Sequence, residues 1–277
     1  MANVARAECG RSDDPRWMSH HSLVLLLNPT GAEYNGRFGL CVPLYDEDDA
    51  ALRLNHLEVG VSTYLSPIYA VGGGYAQIGP ASFLFLRAEL HALTIWPIPL
   101  EGAGFYERTG YDDGWRSEDL PLDEGGAASG WSARFKAVLR GAVDLGEAFE
   151  LVLVTSPWLE INVLDRGTYY LDVRDDLIAA NGDWVFANEG VLLFGVRLPE
   201  GPSLRFGAFS ALRVVPAAGY VGHRAGPFVM ASFPWPDPAI ESIDVFLRLG
   251  LYSHHRFREL SLATMAGVGV DLDMGPL

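Results

Sequence analysis

From about residue 22 onward, apolar and polar residues alternate along most of the chain. Leu57 and Val59, for example, alternate with Glu58 and Gly60. Successive side chains of a β-strand point to opposite faces of a sheet, so a two-residue period predicts strands with one apolar and one polar face. A helix would need a period of 3.6 residues, and no convincing amphipathic helix is found. The chain is therefore predicted to be all-β.

The alternation, together with the turn residues that interrupt it, predicts about twelve strands. They span approximately residues 22–28, 34–44, 53–65, 68–78, 82–96, 130–144, 147–158, 183–198, 203–215, 219–233, 240–253 and 258–273. Several are longer than the five or six residues usual in soluble sheets. They reach the roughly 9–11 residues that cross a membrane at a tilt. We predict an antiparallel up-and-down transmembrane β-barrel that occupies residues 21–277 as a single domain.

Composition excludes several other classes. The 277 residues are 49% hydrophobic, yet the longest clean apolar run is Leu23–Leu27, so no membrane helix is expected. The apolar fraction also excludes a disordered chain. The formal net charge of −15 argues against nucleic-acid binding, which requires a basic patch. Cys9 and Cys41 have no CxxC spacing, so neither a zinc site nor a disulfide framework is expected.

Residues 1–20 are predicted to form a flexible N-terminal arm. Within it, Ala5-Arg6-Ala7 followed by Glu8 resembles a signal-peptide cleavage site, although the apolar core of a signal peptide is absent. Two interpretations remain open. The segment is either the remnant of a signal peptide or a chance match in a flexible tail.

The connections between the predicted strands differ in length according to their position. Those after even-numbered strands are short, whereas the two long ones, about 97–129 and 159–182, both follow odd-numbered strands. Both long connections are therefore expected at the same end of the barrel. Outer-membrane barrels have short periplasmic turns and long external loops, so this asymmetry favours a membrane barrel. The long connections are acidic, and external loops of this kind could share divalent cations with lipopolysaccharide.

The positions of aromatic and apolar residues separate a membrane barrel from a soluble one. Aromatic residues near predicted strand ends, which are typical of membrane interfaces, are Trp96, Trp131, Trp158, Trp184 and Tyr252. A soluble β-barrel that binds a small apolar ligand is an alternative. It would have to point its apolar face inward, including Leu57, Leu86, Leu139 and Leu249.

Several segments resemble a known group of proteins. These are Ser66-Pro67-Ile68-Tyr69, Leu84-Phe85-Leu86-Arg87-Ala88, Gly182-Asp183-Trp184-Val185, Arg224-Ala225-Gly226-Pro227 and Tyr252-Ser253-His254-His255-Arg256. They resemble uncharacterised outer-membrane barrels of myxobacteria and their relatives. The resemblance implies a Gram-negative outer-membrane location, with lipid, lipopolysaccharide and the barrel-assembly machinery as partners, and it implies no activity. The chain departs from the usual barrel in ending on Met274-Gly275-Pro276-Leu277 without a terminal aromatic residue.

The polar faces of the predicted strands carry the candidate functional residues. Candidate pore-lining residues are Arg37, Arg87, Glu89, Arg134, Lys136, Arg140, Arg205, Arg213, Arg224, Asp244 and Arg248. Further acidic residues on these faces are Glu58, Asp144, Glu189, Asp271 and Asp273. One interpretation is a polar pore whose basic patches favour anionic solutes. The other is a neutralising ion-pair network that closes a narrow barrel. The leading function is a porin-like or structural outer-membrane protein that could pass small anionic solutes.

A membrane-embedded hydrolase that acts on lipid is the alternative activity. It requires a serine next to a histidine, and Ser62 with His56 or Ser261 with His254 are the available pairs. There is no G-x-S-x-G elbow or other recognisable hydrolase motif. We therefore predict that the protein is not an enzyme and has no catalytic residues.

Metal and cofactor sites are not expected either. The acidic segments 46–49 and 172–176 lack the EF-hand pattern and are interpreted as solvated turns. Neighbouring histidines of a strand point to opposite faces, so His20-His21 and His254-His255 are poorly placed to chelate a metal. Gly72-Gly73-Gly74 lies inside a strand with no following helix, which indicates a bend or close packing rather than a phosphate loop.

Overall fold

The computed structural model describes residues 14–27, 30–45, 51–52, 54–100, 103–113, 120, 125–146, 148–198, 201–235 and 239–276. Most of them lie in strands: β1 (Arg16–Leu27), β2 (Gly31–Pro43), β3 (His56–Ser66), β4 (Tyr69–Ala81), β5 (Leu84–Ile95), β6 (Glu107–Arg108), β7 (Ala128–Asp144), β8 (Phe149–Leu164), β9 (Tyr169–Asp172), β10 (Leu177–Ala180), β11 (Trp184–Arg197), β12 (Ser203–Val215), β13 (Tyr220–Pro234), β14 (Ile240–His254) and β15 (Leu262–Pro276). A short 3₁₀ helix spans Pro216–Ala218. Among the described residues, no helix is long and apolar enough to cross a membrane.

Twelve of these strands form a closed barrel, in the order β1-β15-β14-β13-β12-β11-β8-β7-β5-β4-β3-β2. Every pair of neighbours is antiparallel, and β1 closes the barrel against β15, with Leu23 opposite Val268. The remaining strands form a separate sheet in the order β10-β9-β6. The predicted fold class, an all-β barrel of about twelve antiparallel strands, is confirmed.

Two predicted boundaries differ most from the structure. β1 begins at Arg16, so the barrel starts before residue 21 and the predicted arm of residues 1–20 is too long. The proposed cleavage-site segment lies outside the described residues. β8 continues to Leu164, well into the predicted long connection 159–182, because Leu159, Ile161 and Val163 extend the outward apolar alternation. β9 and β10 then form a hairpin within the rest of that connection.

The two ends of the barrel differ in how the strands are connected. At one end, here called the turn end, lie the short links such as Ser82–Phe83 between β4 and β5, together with both ends of the described chain. At the other end, the loop end, lie the two long connections, between β5 and β7 and between β8 and β11. The prediction that both long connections share one end is confirmed. They associate there, because β6 from the first pairs with β9 from the second.

The outer surface of the barrel is an apolar belt. Leu57, Leu86, Leu139 and Leu249 are 37%, 44%, 42% and 41% exposed, and each lies between inward-facing residues of its strand. The soluble-barrel alternative required these side chains to point inward, so it is wrong. An exposed apolar surface of this extent marks a site that contacts a partner or a membrane.

The predicted aromatic residues divide between the two faces. Trp131 and Trp184 face outward near the loop end and are 43% and 47% exposed. Trp158 and Tyr252 instead face inward: the Trp158 ring lies beneath Arg213, and Tyr252 is buried. Their assignment to an interfacial girdle is wrong, because the strand alternation places them on the face opposite to that of Leu159 and Leu251.

Cys41 corrects a further expectation. It is fully buried on β2 and is disulfide-bonded. The expectation of no disulfide rested on the absence of a CxxC spacing, which is uninformative about cysteines that are distant in sequence.

Gly73 of β4 lies where two strands approach closely. A Cβ atom at this position would lie 2.1 Å from the carbonyl oxygen of Leu90 on β5, which is too close for any side chain. At the neighbouring Gly72, the nearest atom would be the Thr63 hydroxyl oxygen at 3.7 Å, an ordinary contact. The expectation of close packing in the glycine triplet is therefore confirmed at Gly73.

This difference predicts unequal costs for two adjacent substitutions. Gly73→Ala should destabilise the barrel by about 1–3 kcal/mol, because the new methyl group must push β4 away from β5. Gly72→Ala, the matched control, should change the free energy of unfolding by no more than about 0.5 kcal/mol. Urea unfolding of the refolded protein in lipid vesicles measures both values, and equal costs would contradict the close approach.

Candidate functional site

The barrel encloses a cavity of about 1250 Å³. Its lining extends from His56 and Phe85 near the turn end to Thr30 and Leu100 at the loop end. Eight of the eleven candidate residues line it: Arg37, Arg87, Arg134, Lys136, Arg140, Arg213, Arg224 and Arg248. The other three, Glu89, Arg205 and Asp244, are buried and do not line the cavity.

A first ladder of charges crosses the wall formed by β5, β7 and β8. Glu89 lies between Arg87 and Arg134, with N···O distances of 3.6 and 3.7 Å. Arg134 also donates from Nε to Glu160 over 2.8 Å, and Arg174 donates to the other oxygen of Glu160 over 2.8 Å. Each carboxylate is thus shared by two arginines, which satisfies the requirement that buried charges be paired.

A second ladder lies on β11, β12 and β14. Arg213 donates to Asp175 over 2.7 Å and to Glu189 over 3.0 Å. Arg248 donates to the second oxygen of Glu189 over 3.3 Å. Its guanidinium lies 5.1–5.6 Å from the ring centres of Phe209, Phe228 and Phe246, so cation–π contacts also hold it in place.

Smaller networks lie nearer the turn end. Glu150 accepts hydrogen bonds from Arg205 over 2.8 Å and from Arg197, which also binds the exposed Asp144. Asp271 lies 2.9 Å from His20 Nδ1. The side chain of Asp273 is outside the described part of the chain. A further contact joins Glu58 with the hydroxyl of Tyr75.

Four cations that line the cavity are not part of these ladders: Arg37, Lys136, Arg140 and Arg224. Arg140 donates from Nε to the carbonyl oxygen of Ser82 over 2.8 Å. Within the described chain, no carboxylate lies within the 4.0 Å of an ion pair from the side chains of Arg37, Lys136 or Arg224. Lys136 instead places its amine 5.8 Å from the ring centre of Trp158. The two sequence interpretations, a polar pore and an ion-pair network, therefore describe different parts of the same interior.

Residues 169–180, here called the loop hairpin, fold from the loop end against the inward faces of the barrel. The hairpin consists of β9, β10 and the turn 173–176 between them. Arg174 binds Glu160 of the first ladder, and the adjacent Asp175 binds Arg213 of the second. Asp176 binds Arg258 over 3.0 Å and accepts a hydrogen bond from the Tyr252 hydroxyl over 3.1 Å. The hairpin thus joins β8, β12 and β14 with the connection that follows β14.

The interpretation of segment 172–176 as a solvated turn is wrong. Asp172 and Asp176 are 4% and 7% exposed, and arginines from distant parts of the sequence neutralise the turn. Burial alone would raise the pKa of Asp176, but the hydrogen bond with His255 and the charge of Arg258 outweigh it and lower that pKa. The acidic segment 46–49 lies outside the described residues. No group of metal-ligating side chains is found among those that are described.

Neither proposed serine–histidine pair forms. His56 lies against the carbonyl oxygen of Leu54 and the amide of Gln77, and the Ser261 hydroxyl donates to a backbone carbonyl. The Ser62 hydroxyl oxygen is instead 2.7 Å from His91 Nε2, a pair that is not among those predicted from the sequence. Both residues are buried, and neither lines the cavity.

The register explains why Ser62 meets His91. Both lie opposite Gly73, from β3 and β5 respectively. Because Gly73 has no side chain, the serine and the histidine reach each other across β4. Predicting this pair from the sequence would therefore have required Gly73 together with the register of β3, β4 and β5.

No protein-family model matches the chain, and no curated protein sequence matches it. Several solved structures are similar to it in outline. An outer membrane channel from Pseudomonas putida has a TM-score of 0.47 at 10% identity, over 98% of this chain and 100% of that one. The beta domain of the Bordetella autotransporter Brka has a TM-score of 0.43 at 13% identity, over 92% and 98%.

The KdgM porin has a TM-score of 0.39 at 7% identity, over 93% of this chain and 99% of that one. These neighbours are bacterial outer-membrane barrels. The twelve-stranded closure described above rests on the strand pairing of this chain itself.

The buried Asp172 predicts a pH dependence of the loop hairpin. Burial, followed by the charge of Asp175, raises the pKa of Asp172 to about 6. Asp172 is therefore protonated more easily in the closed hairpin than in an open one. As a result, the closed hairpin becomes more stable as the pH falls through about 6, and the increase is complete below about pH 4. Hydrogen exchange of the Arg174 and Asp175 amides, corrected for the intrinsic rate, should slow by about tenfold between pH 7 and pH 5.

Asp172→Asn is the control for this prediction. The amide is neutral at both pH values and can still accept the hydrogen bond from the Arg174 backbone, which is 3.0 Å in length. The variant should therefore show little change in protection between pH 7 and pH 5. A wild-type hairpin that loses protection on acidification would contradict the account.

Proposed function

We propose that this protein is an outer-membrane channel that passes small anions. The observation that carries the proposal is the charge of the cavity. The cationic side chains that line it are Arg37, Arg87, Arg134, Lys136, Arg140, Arg174, Arg213, Arg224 and Arg248. The anionic ones are Glu33, Glu58, Asp175, Asp176 and Glu189. Cations thus exceed anions by four among the lining residues, and still by two when the buried Glu89 and Glu160 that pair with three of these arginines are counted, in a chain whose formal net charge is −15.

An excess of fixed positive charge in a low-dielectric lumen concentrates anions and repels cations. The ladders supply most of the positive groups but neutralise them locally. Of the lining cations outside the ladders, Arg37, Lys136 and Arg224 have no carboxylate within ion-pair distance in the described chain and remain available to a passing anion. They lie on β2, β7 and β13, on separate parts of the wall.

The membrane part of the proposal rests on the apolar belt. Lipid offers no hydrogen-bonding partner to the backbone, so a β-structure in a membrane must be closed and apolar outside, as this barrel is. The connections also fit: short links at the turn end and long connections at the loop end correspond to periplasmic turns and external loops. The proposed partners are outer-membrane lipid, lipopolysaccharide around the loop end and the barrel-assembly machinery. We also propose that the protein comes from a Gram-negative bacterium, either a myxobacterium or a relative.

A lipid-facing belt predicts that the cost of a new charge depends on depth. Leu90 lies near the middle of β5 and is 62% exposed, whereas Val143 lies near the turn end of β7 and is 60% exposed. Leu90→Lys should destabilise the barrel in vesicles by about 2–4 kcal/mol, and Val143→Lys by about 0–1 kcal/mol. Urea unfolding in vesicles measures both. Small and equal costs would show that the belt does not face lipid.

Single-channel recording in planar bilayers tests the channel itself. In a potassium chloride gradient, the reversal potential of the wild-type channel should show a preference for chloride over potassium. Lys136→Gln should lower that preference by roughly two- to fivefold, because it removes a positive charge from the lining. Arg197→Gln is the matched control, because it removes the same charge from a residue that does not line the cavity. The proposal fails if wild-type protein shows no conductance or prefers potassium.

A further inference from the structure

One half of the barrel interior combines the second ladder with a large group of apolar side chains. On the consecutive strands β8, β11, β12, β13 and β14, buried apolar side chains pack into one cluster: Val152, Val154, Val191, Leu193, Phe209, Ala211, Phe228, Met230 and Phe246. Val24, Val138 and Met265 pack against it from neighbouring strands. Val154, Ala211 and Phe246 of this cluster line the cavity together with Val24, Val138 and Met265, so one part of the lumen surface is apolar.

The other half of the interior has a group of polar residues, beside the buried apolar Val71, Leu93 and Ile95 nearer the loop end. Strands β1 to β5 and β7 present His20, Arg37, Glu58, Gln77, Arg87, Glu89 and Lys136 on their inward faces. Most of these groups are paired, but Arg37 and Lys136 have no carboxylate within ion-pair distance in the described chain.

The cavity touches both halves. Among its lining residues are Val24, Val138, Val154, Phe246 and Met265 from the apolar wall and its margin. Lys136 and Val138 are two residues apart on the same inward face of β7, so a free amine borders the apolar surface directly.

We propose that the solute is an amphiphilic anion, namely a carboxylate or similar small anionic group attached to an aliphatic or aromatic tail. This inference rests on the proposed channel function and specifies its substrate class. The anionic group contacts the cations outside the ladders, Lys136 first among them. The tail lies along the wall that Val138, Val154 and Phe246 contribute.

Desolvation distinguishes this class from hydroxylated sugar acids. A hydroxyl group that slides along Val154 or Phe246 loses hydrogen bonds to water and finds no replacement there. A methylene group at the same place is removed from water, which favours binding by about fourfold for each fully buried methylene. The same charge is therefore bound more strongly when it carries an alkyl tail.

Arg248 does not serve as the anion-binding group. Its guanidinium is held by Glu189 and lies against three phenylalanine rings, and the side chain is only 4% exposed. Arg248 contributes to the lining, but its charge is already shared with Glu189 and its position is fixed by the aromatic rings.

Block of the chloride current by a pair of matched anions tests the inference. Hexanoate and gluconate are both six-carbon monocarboxylates, and they differ in the hydroxyl groups of gluconate. Added at pH 7 to wild-type channels in planar bilayers, hexanoate should half-block the chloride current at a concentration at least about tenfold below that of gluconate. Equal half-block concentrations for hexanoate and gluconate would overturn the inference that the solute is amphiphilic. The proposed channel function would still hold in that case if the channel prefers chloride to potassium.

A pair of double variants locates the effect. Val138→Thr with Val154→Thr keeps the side-chain shape and adds two hydroxyl groups to the apolar wall, so the preference for hexanoate should fall several-fold. Val59→Thr with Val61→Thr makes the same change on the outer belt, where both valines are more than half exposed, and should leave the preference unchanged. A preference that survives the inner change, or falls equally with the outer one, would overturn the inference. If the inner double variant fails to fold, the comparison of hexanoate and gluconate block in the wild-type channel still tests the inference.

Discussion

The closed backbone hydrogen-bond ladder is the constraint on which the rest of the structure depends. Each barrel strand is paired on both sides, and the contact between β1 and β15 leaves the barrel without a free edge. Once the ring is closed, alternation assigns every side chain to the inside or the outside. Apolar residues such as Leu86 and Leu249 then cover the outer surface, and the charged residues must be accommodated within a narrow interior.

The interior solves this problem by pairing most of its charges and leaving a few available. Glu89, Glu160 and Glu189 are each shared between two arginines, so the ladders are continuous along the wall. The loop hairpin joins the two ladders through Arg174 and Asp175. Positive side chains outnumber negative ones in the lining of the cavity, while the chain as a whole is acidic. Net charge therefore says little about the solute, whereas the local charge of the lumen is informative.

The sequence alone was sufficient for the features that depend on local alternation. It predicted the strand number, the outward face of Leu57 and Leu139, the shared end of the two long connections and the inward position of Arg37 and Arg248. It failed where a side chain's surroundings depend on long-range folding. Segment 172–176 has the composition of a solvated turn, and only the folded chain brings Arg213 and Arg258 to it. Ser62 meets His91 through the register of three strands, which alternation within one strand does not specify.

Site-directed spin labelling of β1 tests the central claim, a lipid-facing belt around a water-filled lumen, most directly. The run Leu23–Leu27 is apolar at every position, yet Leu23, Leu25 and Leu27 face outward while Val24 and Leu26 line the cavity. In vesicles, nitroxides at positions 23, 25 and 27 should collide mainly with dissolved oxygen, and those at 24 and 26 mainly with a water-soluble nickel chelate. Oxygen accessibility that is uniform along the run, or the reverse alternation, would contradict the account.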